Sequence, residues 1–259
     1  MGSFRMNESA QRQHRVTGQG FTLVDVLVSI AVIALLIGIL LPSLKMVHET
    51  SQRVVCASNL RQVGLGVHMY ASDNDAWLPY SSFASGNGDY WNTDPLYLRV
   101  DARSRGYDVM VWDGLGVMFD QSYLNDGRIF YCPSHTGEHT FEAYKAQFEG
   151  ADGEIIANFQ YRGEGPDLSG RPQQRLDFIE NNASLVSDGF REVADINHEQ
   201  GMNVLRAGMS VDWHFVDHEI LLDMASQAAD DSDQPDWEER WRLLDLPSSG
   251  SSFWDDLFN

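Results

Sequence analysis

The sequence has few basic residues: 18 Lys and Arg stand against 38 Asp and Glu in 259 residues, a net charge of −20. Nucleic-acid binding needs clustered Lys and Arg, so this composition argues against DNA or RNA as a partner. The chain also lacks a nucleophile elbow, a P-loop, a dinucleotide-binding fingerprint and any internal repeat. Nothing in these patterns requires an enzyme. Solubility alone explains the excess of acid, with binding of divalent cations as the alternative.

One long apolar run dominates the N-terminal part of the chain. It extends over 21 residues from Phe21 to Leu41, and Asp25 is its only charged residue. A helix of this length spans roughly 30 Å, the thickness of a bilayer's hydrocarbon core, so the run predicts a membrane span. A carboxylate inside lipid is costly and marks a function or a partner. Cleavage after Gly20 would supply that partner, because the new α-amino group would lie about one helical turn from Asp25 of the same or a neighbouring chain.

The first 20 residues are basic, with Arg5, Arg12 and Arg15 against Glu8. Positive charge before a span favours keeping that end in the cytoplasm. A secretory signal peptide is the alternative, but its apolar region would be shorter and would end, rather than begin, at a small-residue cleavage site. Residues 1–20 are therefore interpreted as a leader peptide.

This N-terminus resembles the signature of type IV pilins and type II secretion pseudopilins. Gly20 and the following Phe21–Leu23 match the family's cleavage motif, and Asp25 stands where the family usually has Glu. The resemblance implies that a prepilin peptidase cuts after Gly20 and methylates the amino group of Phe21, and that Asp25 guides assembly. Pro42 falls where many members carry a helix-kinking proline.

The resemblance further implies a non-catalytic subunit without a cofactor. Such a subunit crosses the inner membrane once, with its N-terminus in the cytoplasm and its globular domain in the periplasm or in an extracellular filament. Its partners would be the prepilin peptidase, other pilin or pseudopilin subunits, the inner-membrane assembly platform and membrane lipid. The assembly would be a type IV pilus or a secretion pseudopilus. A membrane-anchored extracytoplasmic binding domain that never polymerises is the alternative.

Three further segments resemble a pseudopilin-like family found in planctomycetes and related bacteria. Cys56 and Asn59 belong to a Cys-x-x-Asn-Leu-x-Gln-x-Gly stretch, and Tyr131–Ser134 matches a Cys-Pro segment. The family also carries a His followed after nine residues by Asp-Gly. Here His198 is followed ten residues later by Gly208-Met209, so the Asp-Gly itself is missing.

The region after Pro42 continues as a predicted amphipathic helix over residues 42–75. Its apolar stripe recurs at steps of three and four, and Asp73-Asn74-Asp75 supplies turn chemistry that ends it. Gly64 and Gly66 predict a local loosening, because each glycine costs a helix about 1 kcal/mol. The stripe comprises Cys56, Leu60, Val63, Val67 and Tyr70.

Short strand-like segments follow within a β-rich domain over residues 76–222, before an acidic tail over 223–259. One long helix followed by several strands predicts an α+β, pilin-like fold, with the helix packed on an antiparallel sheet. The last two strands are expected to form a hairpin that turns near Ala207-Gly208. The predicted strands are 109–119, 127–133, 154–162, 182–190 and 202–216.

The chain has only two cysteines, Cys56 and Cys132. In an extracytoplasmic domain an even pair favours a disulfide, which here would tie the helix to the sheet. Two buried free thiols, or one exposed thiol, are the alternatives.

Three other constellations are weaker. His135, Glu138 and His139 fit an H-x-x-E-H zinc-protease pattern, but Pro133 and Gly137 disfavour the helix that it requires, so no metal site is assigned. The pair His214 and His218 lies on a segment predicted to run from a strand into a loop. Asp73-Asn74-Asp75 could contribute to a calcium site, but it lacks the EF-hand glycine and glutamate, which favours a helix-ending turn.

The tail combines acidic residues with aromatic ones. Trp237, Trp241 and Leu244 recur at helical spacing and predict a short amphipathic helix, and a polar linker leads from there to a terminal FWDDLF. The tail is interpreted either as a docking peptide or as a segment that folds back on its own domain.

Overall fold

The structure is a computed structural model that describes residues 22–81, 96–101, 110–166, 168–190, 193–198, 200–216, 219, 222 and 237–245. The chain divides into two compact units, residues 1–46 and 47–259. The α-helices are α1 Leu23–Asp73, α2 Gly116–Asp120, α3 Phe141–Phe148 and α4 Trp237–Asp245. The strands are β1 Tyr97–Asp101, β2 Met110–Trp112, β3 Ile155–Ile156, β4 Phe159–Tyr161, β5 Gly165–Pro166, β6 Pro172–Gln173, β7 Ser184–Asp188, β8 Gly201–Arg206 and β9 Val211–Phe215.

In the first unit, the N-terminal part of α1 is exposed along its whole length. Every residue from Thr22 to Met46 is exposed, including the apolar ones. The helix is long and apolar enough to cross a membrane, a property that it would share with a signal sequence. The predicted long helix is thus confirmed from Leu23 onward, and Pro42 lies inside it. A kink at Pro42 stays a prediction.

In the second unit, the C-terminal part of α1 is packed on the globular domain. The predicted apolar stripe is confirmed, because Cys56, Leu60, Val63 and Val67 are buried in the main core. The loosening predicted from the glycines is wrong, since α1 continues through Gly64 and Gly66 to Asp73. A Cβ added to Gly64 would lie 2.9 Å from Leu205 Cδ1, so this position allows α1 to approach the sheet closely.

The central sheet has the order β4-β7-β8-β9 and is antiparallel throughout. Alternate residues of β8 pack into two different hydrophobic clusters, one on each face of the sheet. Leu205 belongs to the core cluster that contains the buried stripe of α1, whereas Met202 and Val204 cluster with Trp241 of α4. This two-sided cover explains why every residue of β8 is buried. The helix-plus-antiparallel-sheet architecture confirms the predicted α+β class.

Some of the predicted strands are confirmed, one is wrong, and one is confirmed in part. Strands β3, β4 and β7 lie within the predicted segments, and β8 and β9 form the predicted hairpin. The strand predicted over 127–133 is wrong, because Gly127–Phe130 is a 3₁₀-helix whose first turn is capped by the Asp126 side chain. Segment 109–119 begins as β2 but continues into α2. Two smaller antiparallel sheets, β2-β1-β3 and β5-β6, complete the fold.

Part of the acidic tail belongs to the domain. Trp237–Asp245 forms α4, and Trp241, Leu243 and Leu244 are buried against the sheet. The predicted amphipathic helix is therefore confirmed, and this stretch folds back on its own domain. The terminal FWDDLF lies outside the described residues.

Candidate functional site

Four buried side chains from separate parts of the chain meet beside α1. Cys56 lies on α1, Cys132 follows the 3₁₀-helix, Asp188 ends β7, and His198 lies in the connection from β7 to β8. Each is at most 3% exposed. One sulfur, nitrogen or oxygen atom from each side chain lies within 4.8 Å of all the others. We refer to these four residues as the Cys–Asp–His cluster.

The cluster is connected by polar contacts. The Cys56 thiol donates to Asp188 Oδ1 at 2.8 Å, and Cys132 Sγ lies 3.4 Å from His198 Nε2. His198 Nε2 also lies 3.7 Å from Asp188 Oδ2. Since the two histidine nitrogens are distinct, Nε2 faces the cluster while Nδ1 points away to Glu49 Oε1 at 2.6 Å. The imidazole is therefore held in one orientation.

One face of α1 positions the cluster through polar side chains spaced by three or four residues. Besides Cys56, this face carries Glu49, Gln52 and Asn59. Gln52 Nε2 donates to the carbonyl oxygen of Pro133 at 3.2 Å, and Asn59 Nδ2 donates to that of Tyr131 at 3.0 Å. The segment around Cys132 has no regular secondary structure, so these bonds fix it against the helix and determine where its thiol lies.

Burial and the neighbouring groups perturb the titration of the cluster. Burial raises the pKa of the Cys56 thiol well above its ordinary value, and Cys132 and Asp188 add to this effect. Burial also opposes ionisation of Cys132, but Cys56 and His198 outweigh it and lower the pKa of that thiol. For His198, burial opposes protonation, yet Cys132, Asp188 and Glu49 raise its pKa to about 9. Cys132 is therefore the more acidic of the two thiols, and it lies beside His198.

Two chemistries use a thiolate next to an imidazole: metal binding and nucleophilic catalysis. A groove of about 560 Å³ opens beside Cys132, which would suit a nucleophile. However, the Cys132 backbone N–H donates to Asn158 Oδ1 at 2.5 Å, so it does not serve as an oxyanion donor. The carboxylate of Asp188 would also repel an anionic intermediate at this place. Two sulfurs, one nitrogen and one oxygen within 4.8 Å of one another are donor types that transition metals take.

The two predicted disulfide partners are in the same cluster, but they are free cysteines in the structure. The disulfide between Cys56 and Cys132 therefore stays a prediction. It competes with metal binding, because both would use the same two sulfur atoms.

The histidines of the H-x-x-E-H pattern take separate partners. His135 Nδ1 lies 2.8 Å from Asn197 Oδ1, and His139 Nδ1 lies 2.7 Å from the Tyr144 hydroxyl. The segment between them is not helical, as predicted, so the protease arrangement does not form. His214 lies on β9, as expected from its strand pattern, whereas His218 lies outside the described residues.

The turn at Asp73-Asn74-Asp75 ends α1 as predicted. Asn74 Nδ2 donates to the Tyr70 carbonyl oxygen at 2.8 Å, and Asp75 has a positive φ of 51°. Asp73 Oδ2 accepts from the Tyr123 hydroxyl at 2.9 Å. Local hydrogen bonding accounts for these side chains, and calcium at this turn stays a prediction.

At the N-terminal end, Gly20 and Phe21 lie outside the described residues. Asp25 is exposed and forms a reciprocal cap with Thr22: its Oδ2 accepts from the Thr22 backbone N–H at 2.9 Å, and its own N–H donates to Thr22 Oγ1 at 3.2 Å. This capping box satisfies donors at the start of α1. Asp25 therefore has a local role besides the assembly role that the resemblance implies.

The sequence did not indicate Asp188 or Glu49 as members of the site. Asp188 ends a five-residue strand that is buried throughout, where an ionisable residue is unusual. Glu49 lies seven residues before Cys56, two turns along the same helix, and this spacing was the available signal.

No family model, curated protein or solved structure matches the chain in a comparison with known proteins. The resemblance to pilins and pseudopilins therefore depends on the residues of the chain itself. Within its described residues, the fold and the site define an α+β protein with a candidate membrane span and a buried cluster of two cysteines, an aspartate and a histidine.

Proposed function

We propose that the chain is a non-catalytic, pilin-like subunit that a prepilin peptidase processes and that assembles through α1 into a pilus or a secretion pseudopilus. The observation that carries the proposal is the exposed apolar part of α1, in which Asp25 is the only charge from Thr22 to Leu44. Such a surface needs lipid or neighbouring helices as cover. Before assembly that cover is the inner membrane, and afterwards it is the helices of other subunits.

The charge of Asp25 guides the assembly by pairing with a neighbouring subunit. Cleavage after Gly20 leaves a cationic α-amino group on Phe21. A neighbouring subunit's carboxylate can pair with this group in the apolar filament core, where an unpaired charge is costly. The globular domain then lies outside the membrane, and the basic leader remains on the cytoplasmic side until it is removed.

The capping box supports a second candidate, a membrane-anchored domain that never polymerises. If capping is the whole role of Asp25, the residue needs no partner from another subunit. The two candidates differ in whether the charge or only the hydrogen-bonding oxygen of residue 25 matters.

Substitutions at residue 25 separate these roles. Asp25→Glu keeps both charge and cap, Asp25→Asn keeps an acceptor for the Thr22 N–H but removes the charge, and Asp25→Ala removes both. Ser29→Ala serves as the control, because Ser29 is another polar residue of the span and donates to the Asp25 carbonyl oxygen at 2.7 Å.

Filaments are collected from the native host by shearing and counted by electron microscopy. The proposal expects filaments with Asp25→Glu and Ser29→Ala, and none with Asp25→Asn or Asp25→Ala. N-terminal analysis by intact mass should find methylated Phe21 only when the peptidase is present. Full assembly by Asp25→Asn, or an uncut N-terminus in the native host, would overturn the proposal.

A further inference from the structure

The Cys–Asp–His cluster has the composition of a transition-metal site. It offers two sulfur atoms, one imidazole nitrogen and one carboxylate oxygen, all buried. Zn²⁺ takes these donor types in four-coordinate sites, whereas Ca²⁺ and Mg²⁺ prefer oxygen alone. The mixture of soft and harder donors therefore selects zinc over the hard cations.

The distances within the cluster suit a tetrahedral ion. Zinc bond lengths of about 2.0–2.3 Å place the ligand atoms of a tetrahedron roughly 3.3–3.8 Å apart. Cys132 Sγ lies 3.4 Å from His198 Nε2, within this range, whereas Cys56 Sγ lies 2.8 Å from Asp188 Oδ1, somewhat closer than the range. The widest separation in the cluster is no more than 4.8 Å. Shifts of about 1 Å would therefore bring all four donors to one ion.

Hydrogen bonds around the cluster orient its donors. Glu49 holds His198 through Nδ1, which leaves Nε2 for the ion. Asp188 Oδ2 accepts from the backbone N–H of Asn203 at 2.6 Å and from its side-chain amide at 3.2 Å. Oδ1 is thereby left to face the thiols. Carboxylate–histidine–metal arrangements and hydrogen-bonded carboxylate ligands are typical outer supports of zinc sites.

The charge of the cluster also calls for a cation. Asp188 is 1% exposed, and within the described part of the chain its ion-pair partner is His198 at 3.7 Å rather than a Lys or Arg. A divalent ion at the centre would lie closer to this buried carboxylate than the imidazole does and would compensate its charge more directly.

We propose that Cys56, Cys132, Asp188 and His198 bind one structural Zn²⁺. Four protein donors complete a tetrahedral shell, so no position is left open for substrate. The ion ties α1 to the Cys132 segment, to the end of β7 and to the connection before β8. This site does not depend on whether the protein assembles into filaments.

The primary experiment measures metal in the full-length protein, purified in detergent under reducing conditions without chelator. Elemental analysis should find about one zinc per chain. Replacement of zinc by Co²⁺ should give the thiolate-to-cobalt charge-transfer band and the intense visible bands of tetrahedral coordination. Absence of both zinc and the charge-transfer band from reduced, folded protein would overturn the proposal.

Variants show which residues hold the ion. Cys132→Ser and His198→Asn should lose stoichiometric zinc, and His48→Asn, which changes an exposed histidine of α1, should keep it. In case the ligand variants fail to fold, Glu49→Gln removes only the negative charge of the group that supports His198 and keeps an acceptor for its Nδ1. It should weaken zinc binding about 10–100-fold in competition with a chromophoric chelator. The exposed Glu142→Gln is its matched control and should bind like the parent.

Two other results would identify a different chemistry and refute the zinc site. A mass lower by two hydrogens, with no free thiol and no metal in protein isolated from its native compartment, would establish the Cys56–Cys132 disulfide. Rapid alkylation of Cys132 that saturating zinc fails to slow would instead indicate an accessible nucleophile.

Discussion

The attachment of α4 provides a test of the energetics, because its last residue, Asp245, accepts hydrogen bonds from Arg162 and Ser184. Asp245 Oδ2 lies 2.9 Å from Arg162 Nη1, and the two side chains are 18% and 8% exposed. Asp245 Oδ1 also accepts from the Ser184 backbone N–H at 2.8 Å and from its hydroxyl at 2.6 Å. Replacing Asp245 by Ala leaves a largely buried guanidinium and two donors without their acceptor. Removal of one partner of a buried ion pair typically costs 3–5 kcal/mol.

Because Asp245 is partly exposed, we expect Asp245→Ala to lower the free energy of unfolding by about 3 kcal/mol. Asp177→Ala is the matched control: its carboxylate lies 2.7 Å from Arg175 Nη2, with side chains that are 45% and 38% exposed. An exposed pair contributes about 0–1 kcal/mol. Each variant is titrated with urea in detergent, and its unfolding is followed by tryptophan emission. Losses that agree within about 1 kcal/mol would refute the view that burial decides the strength of these pairs.

Two further predictions concern pH and packing. Burial, followed by the charge of a neighbouring arginine, lowers the pKa of His214 to about 4, while the unfolded chain takes up this proton near pH 6.5. The contribution of His214 to the free energy of unfolding should therefore be fully present above about pH 6.5 and fall by about 3 kcal/mol on acidification to pH 4. Urea titrations at each pH should show a smaller fall for His214→Gln. An equal fall in the parent and in His214→Gln would contradict this prediction. A Cβ on Gly116 would lie 1.9 Å from the Leu98 carbonyl oxygen, whereas one on Gly64 would press only on a flexible side chain. Gly116→Ala should therefore lower the free energy of unfolding by about 2 kcal/mol or more, and Gly64→Ala should lower it by less. A lower melting temperature for Gly64→Ala than for Gly116→Ala would disprove the packing argument.

The parts of the fold that sequence reasoning predicted are those governed by local periodicity. The stripe from Cys56 to Val67 predicted the buried face of α1, and the turn residues Ala207-Gly208 between two strand-like segments predicted the hairpin of β8 and β9. The segment at Gly127–Phe130 misled this reasoning because its apolar residues resemble a strand, whereas the Asp126 cap favours a helical turn. The loosening of α1 predicted at Gly64 was also wrong. Helix propensity is a local property and does not include the packing of Leu205 against this position.

The candidate site was predicted only in part for a related reason. The two cysteines stood out as a possible disulfide pair, and His198 stood out only through the segment that resembles the planctomycete family. Asp188 and Glu49 are two acids among 38, and composition does not distinguish them. Their role depends on contacts across the fold: Asp188 lies 132 residues from Cys56, and Glu49 lies 149 residues from His198. Such pairings cannot be read from a local pattern.

These long separations affect how the domain folds. Helix α1 is synthesised first, yet Asp188 and His198 follow it by more than a hundred residues, and α4, which covers the other face of the sheet, follows later still. Contacts so distant in sequence make folding slow, because a long chain must be closed before they form. The part of α1 at Gly64 thus lacks its contact with Leu205 until β8 has been synthesised. A chain that ends before Trp237 would leave Met202 and Val204 without the α4 side chains that cover them and would be prone to aggregate.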